Sequence, residues 1–177
     1  MIFSTFSLIK KSGMTALLIL LLAPSAFAAL KQNDPAPSFS LRDNRGKDFS
    51  LNEVVGAKSR EKAKGVIVSF FASWCMACRH ELPIINAVTD EMNSEGVQVV
   101  IVDVKEDFKS VNSLLAELRV DKPIVVADQE GKIGEQYGIR FLPVTFFIGA
   151  DGHIKHIIYG EINDGKEVKD IAGKFLK

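Results

Sequence analysis

The chain has 177 residues, 47% hydrophobic and 25% charged, with 22 basic and 22 acidic side chains that cancel at neutral pH. That composition describes one ordinary globular domain with a small appendage, and the charge balance removes any compositional case for nucleic acid as a partner. The only two cysteines, Cys75 and Cys78, exclude a disulfide-scaffold protein and a four-cysteine zinc site.

Residues 1–28 have the form of a signal peptide. Lys10 and Lys11 give a positive flank, Met14 to Ala23 an apolar run, and Ala26-Phe27-Ala28 a small-x-small cleavage site. The run is shorter than the roughly 20 residues that span a membrane. Cleavage after Ala28 removes two lysines and leaves 149 residues with a net charge of −2. The mature protein is then periplasmic or otherwise extracytoplasmic, with retention as an uncleaved membrane anchor as the alternative. In an oxidising compartment a close cysteine pair can be a structural bridge, a redox centre or a metal site. The loop it would close is too small to restrict the unfolded chain much, which weakens the purely structural reading.

Residues 29–35 read as an extended lead-in, within a polar stretch that carries Pro35 and Pro37, and the folded domain is placed at 36–177. Phe39 and Leu41, then Phe49 and Leu51, alternate on either side of Asp43-Asn44-Arg45-Gly46, which predicts a hairpin. Ser50-x-x-Glu53 predicts a capping box opening a short helix. Lys58, Arg60, Lys62 and Lys64 read as a solvated basic loop.

Four apolar, β-branched runs follow, Val66 to Phe71, Val97 to Val104, Ile124 to Ala127 and Val144 to Ile148, and these predict buried strands. Between the first three lie helical patterns, Leu82, Ile85, Val88 and Met92, then Phe108, Val111, Leu114, Leu115 and Leu118. Strand–helix alternation predicts parallel pairing through crossovers, hence an α/β fold. His153 to Ile162 reads as an antiparallel partner strand beyond the turn Ala150-Asp151-Gly152. Val168, Ile171, Ala172, Phe175 and Leu176 share one face of a final helix.

Trp74-Cys75-Met76-Ala77-Cys78 comes directly after the first buried strand and opens a helix. Free backbone N–H groups and the positive end of the helix dipole there favour a thiolate on Cys75, the expected attacking sulfur. Cys78, one turn further in, is expected to be more buried and to act as the resolving thiol. On this geometry the pair can cycle between dithiol and disulfide.

Phe71-Ala72-Ser73-Trp74-Cys75-x-x-Cys78 resembles the thioredoxin superfamily. Added to it are Pro37-x-Phe39-x-Leu41, Gly46-Lys47-x-Phe49-x-Leu51, Cys78-x-x-Glu81-x-Pro83 and Tyr137-Gly138-Ile139-x-x-Leu142-Pro143-x-Thr145-Phe146-Phe147-Ile148. With these the chain resembles, more narrowly, the exported TlpA/ResA-like thiol-disulfide oxidoreductases. The resemblance covers about residues 35 to 177. It implies a thioredoxin-like fold, a central mixed sheet flanked by helices, with an N-terminal β-hairpin and an inserted βα unit. It also implies that Pro143 is cis and packs beside the disulfide, so that the backbone of Leu142 pairs with a bound substrate strand. Glu81 is implied to tune the cysteines and shuttle protons; an ordinary exposed helix carboxylate is the other reading. Minimal thioredoxins place a buried acid where this chain has Ser69, which leaves Glu81 as the nearby candidate.

Trp74 is expected to pack over the active-site loop, shielding Cys78 and offering partners an apolar contact. His80 is expected to point to solvent. The implied activity is reduction of disulfides in partner proteins, in cytochrome c maturation or oxidase assembly. A membrane thiol-disulfide donor would supply electrons, and no cofactor is implied beyond the Cys75–Cys78 pair. Two alternatives come from other classes. A copper-binding module would use the same CxxC with Met76 and His80 nearby. A peroxidase would need a Pro-x-x-x-Thr/Ser context that is missing before Cys75.

Overall fold

The computed structural model describes residues 29–61 and 63–176; the signal-peptide segment and Lys62 lie outside the described residues. Strands β1 (Ser40–Arg42) and β2 (Asp48–Ser50) form the hairpin, and α1 (Leu51–Val54) is a single turn. Then follow β3 (Gly65–Phe71), α2 (Met76–Ser94), β4 (Val97–Val104), α3 (Phe108–Leu118), β5 (Ile124–Asp128), α4 (Lys132–Gln136), β6 (Val144–Gly149), β7 (Ile154–Tyr159) and α5 (Gly165–Phe175). The large sheet has the order β5-β4-β3-β6-β7. β3, β4 and β5 run parallel, whereas β6 and β7 are antiparallel to their neighbours. This is a thioredoxin-like mixed sheet, with α3 and β5 extending it beyond β4.

β3 lies at its centre and is buried along its whole length. A strand covered on both faces carries a continuous apolar run rather than an alternation, which is why Val66 to Phe71 reads as it does. Its period of two still divides the interior. Ile67 and Phe71 enter one cluster with Leu82, Ile85 and Met92 of α2 and Val168 and Ala172 of α5. Val66, Val68 and Phe70 enter the other, under the hairpin, with Phe39, Phe49, Tyr137 and Phe146. Tyr137 sits between Phe70 and Phe146, both at 5.0 Å between centroids, and its hydroxyl donates to Pro37 O at 2.8 Å. The hairpin is thereby joined to the domain through an aromatic contact and a satisfied buried hydroxyl.

Two local expectations are corrected. The capping box does not form: the Ser50 side chain makes no cap hydrogen bond, and the one-turn helix is held by the buried Leu51 and Val54 instead. The last strand stops at Tyr159 rather than Ile162, because Gly160 takes a left-handed φ of 104° and the Ile162 N–H leaves the ladder for a side chain described below. Of the basic run, Lys58, Arg60 and Lys64 are exposed, as a solvated loop requires.

Candidate active site

Three segments converge at one end of the sheet. β3 ends at Phe71 and releases the loop carrying Trp74 and Cys75. β6 begins at Val144, paired with Phe70, directly after Pro143. β4 brings Asp103 alongside Phe71. Carboxyl ends of parallel strands are where open α/β sheets build their sites.

Cys75 is the N-cap of α2, and its Sγ accepts from the Cys78 N–H at 3.2 Å. The same N–H is placed to stabilise a thiolate once the pair is reduced, and the first turn of α2 holds no acidic residue to oppose it. The cysteines are bonded to each other. Cys75 is 7% exposed and Cys78 1%, the asymmetry expected of an attacking and a resolving sulfur.

Glu81 lies three residues beyond Cys78 on the same helix face, and the exposed-carboxylate reading falls: it is 1% exposed. Its Oε1 accepts from the Ser69 hydroxyl at 2.9 Å and the Thr145 hydroxyl at 3.3 Å, side chains that are cross-strand partners on β3 and β6. Its Oε2 accepts from the Ile162 N–H at 2.9 Å. Burial raises its pKa above the ordinary carboxylate range, against the lowering effect of the three donors. Ser69, noted in the sequence as the place where an acid is absent, is thus a ligand of the acid supplied from α2.

The Leu142–Pro143 peptide is cis, Pro143 is buried, and its carbonyl accepts from the Gly160 N–H at 3.0 Å. Leu142 is half-buried and joins Trp74, Phe141 and Arg140 around a cleft of about 170 Å³. Trp74 corrects the expectation of a shield. It stands 73% exposed, while Cys78 is enclosed by the core cluster containing Phe71 and Leu82. His80 is exposed as expected and lies 3.5 Å from Glu161. His153 bonds to Asp151 at the β6–β7 turn and His156 stacks on Phe175, so both are engaged elsewhere.

Trp74 is expected from the sequence to offer partners an apolar contact and Met76 is noted beside the cysteines, whereas Phe141 and Tyr159, and the pair Asp103 and Glu106, escaped the sequence reading. Trp74, Met76, Phe141 and Tyr159 are the exposed large hydrophobics among the described residues. The first two flank Cys75, Phe141 precedes Leu142, and Tyr159 packs on Phe141 at 5.9 Å. Asp103 and Glu106 also border the loop: Glu106 accepts from the Ser73 N–H at 2.6 Å, so Glu81 is not the sole nearby acid. An acidic residue inside the apolar run Val97 to Val104 was the available signal. A larger groove of about 530 Å³ lies between β1 and α4 and is lined by neither cysteine.

The AhpC/TSA family model matches residues 32–157. The thiol-disulfide oxidoreductase ResA of Geobacillus thermodenitrificans is 30% identical over 156 residues, covering 82% of this chain and 85% of that protein. The chain belongs to the AhpC/TSA family and is a thiol-disulfide oxidoreductase of the ResA type. Solved structures agree. A thiol:disulfide interchange protein of the thioredoxin family from Chlorobium tepidum is 29% identical with a TM-score of 0.67, over 84% of this chain and all of that one. A second protein from that organism, assigned as DsbE, is 25% identical with a TM-score of 0.72 over the same shares. In this oxidoreductase the CxxC pair therefore stands at the N-terminus of α2, as the fold class requires.

Proposed function

We propose that the oxidoreductase works outside the cytoplasm as a reductant of disulfides in partner proteins, in cytochrome c maturation or oxidase assembly. The Cys75 thiolate attacks a substrate disulfide, forming a mixed disulfide and expelling one substrate thiolate, which takes up a proton. Cys78 then loses its proton and attacks the Cys75 sulfur, releasing the second substrate thiol and closing the Cys75–Cys78 bond. Two electrons pass to the substrate, and a membrane dithiol donor restores the pair. Glu81 is assigned the proton of Cys78, for which a buried carboxylate of raised pKa is a suitable base. Trp74, Leu142 and Pro143 receive the substrate strand beside the disulfide, and no cofactor beyond the cysteines is needed.

The observation that carries this reading is the unequal burial of two cysteines at a helix N-terminus, one turn from a buried acid and flanked by the exposed Trp74 and Met76. Among the described residues no helix is long and apolar enough to cross a membrane, so export and anchoring both rest on residues 1–28. Insulin reduction tests the core of the proposal. Cys75→Ser is expected to abolish it and Cys78→Ser to trap a mixed disulfide with substrate; full activity in Cys75→Ser sinks the nucleophile assignment. Exhaustive dialysis against a chelator is expected to leave the rate unchanged, and a loss restored by copper would favour the metal-binding alternative.

A further inference from the structure

The turn in front of Cys75 is closed by a Cys75 N–H bond to Ala72 O at 3.1 Å, and Ser73 lies inside it. Ser73 gives both its N–H and its hydroxyl to the Glu106 carboxylate, one to each oxygen. Glu106 comes from the end of β4, not from α2 or β3. Two features aim it. Lys105 takes a φ of 70°, in the left-handed region that side chains other than glycine seldom occupy, and so turns the chain as it leaves β4. The Glu106 N–H then donates to Asp103 Oδ1 at 3.0 Å.

Asp103 is fully buried beside Phe71, and its Oδ2 accepts no hydrogen bond among the described residues. A buried carboxyl oxygen without a donor, next to a second carboxylate, is the arrangement in which the first acid keeps its proton and gives it toward the second. Burial, and then Glu106 beside it, push Asp103 up to about 8, with Asp128 at the end of β5 adding to the effect. Glu106 is partly desolvated, yet the bonds from Asp103 and Ser73 hold it below the ordinary range. One negative charge therefore rests on Glu106, directed at Ser73.

We propose that Glu106, oriented by Asp103, is a positioning residue that fixes the Ala72–Cys75 turn, and with it the Cys75 sulfur and the Trp74 indole, for attack on a substrate disulfide. Glu106 reaches the reaction only through Ser73. The inference rests on Cys75 being the attacking thiol. Thiol-disulfide exchange needs three sulfurs nearly in line, and a displacement of about 1 Å in such a reaction costs on the order of 100-fold in rate.

The test compares Glu106→Ala, Glu106→Gln and Ser73→Ala in the reduced, purified full chain. Three readouts are used: the rate of insulin reduction, the rate of iodoacetamide alkylation with the modified cysteine located by mass spectrometry, and the thermal midpoint. Glu106→Ala is expected to slow insulin reduction about 10-fold. Alkylation of Cys75, which needs no alignment with a second sulfur, should change less than about twofold on the same argument. Glu106→Gln keeps an acceptor for the Ser73 N–H and should recover most of the rate. Ser73→Ala, which removes only the hydroxyl bond, should fall between, about threefold slower, and carries the test should Glu106→Ala not fold. An insulin rate equal to wild type in Glu106→Ala, or in Ser73→Ala where that variant stands alone, overturns the proposal. So does a Glu106→Gln variant as slow as Glu106→Ala. If Cys78 is alkylated before Cys75, it is the nucleophile assignment that fails, whatever the Glu106 variants do.

Discussion

Glu81 shows how one side chain can join three elements. Its carboxylate takes hydrogen bonds from β3, from β6 and from the segment leading to α5, while standing one turn from Cys78. Replacing it by alanine leaves two hydroxyls and one amide without their acceptor, each costing about 1–3 kcal/mol when buried, so Glu81→Ala is expected to lose about 3 kcal/mol or more in a urea melt. Glu81→Gln preserves an acceptor and should fold nearly as well, yet resolve the mixed disulfide more slowly, because an amide cannot take the Cys78 proton. Stopped-flow fluorescence of Trp74 during turnover measures that step. A resolution rate in Glu81→Gln equal to wild type removes Glu81 from proton transfer.

At the scale of elements, the start of β3 is a tight junction against backbone. A Cβ at Gly65 would sit 2.7 Å from the Ile148 carbonyl oxygen of β6 and 2.9 Å from Leu176 beyond α5, and the first of these neighbours is backbone. Gly65→Ala is expected to cost about 2 kcal/mol through overpacking, read as a lowered denaturation midpoint with an unchanged slope. Elements were the most legible level of the sequence. The strands and long helices carry their periodicities openly, because burial on two faces or one decides the residue at each position. Boundaries set by a single competing hydrogen bond were not legible: nothing in Gly160-Glu161-Ile162 announces that the Ile162 amide belongs to a glutamate on α2. The Ser50 capping box failed for a related reason, since a helix of one turn is held by what it buries.

Across the whole molecule, the site was half visible. Cys75, Cys78 and Pro143 stand in a motif that adjacency in sequence displays, and Glu81 lies one turn from it. Asp103 and Glu106 reach the same loop only through parallel pairing of β3 with β4, a contact between positions more than thirty residues apart. Their pairing has a global signature. Asp103 binds its proton more tightly folded, with a pKa of about 8, than unfolded, near the ordinary aspartate value of 3.8. Between those values the native state holds the extra proton, so this contribution is fully present below pH 4 and is lost as pH rises through 8. Glu81, also raised, acts in the same direction. The denaturation midpoint of Asp103→Asn should therefore fall less than that of the wild type between pH 6 and 9. Parallel curves for the two proteins would contradict the buried proton.

The bond from the Ile162 N–H to Glu81 Oε2 also supplies an instrument. An amide proton that faces a carboxylate resonates downfield, and it shifts when that carboxylate gains a proton. Because β7 releases Ile162 from the sheet, its amide has this one partner and no ladder carbonyl to dilute the response. The Ile162 cross-peak in a nitrogen-correlated NMR spectrum is then a built-in indicator of the charge on Glu81, readable in the oxidised and the reduced protein without altering either cysteine.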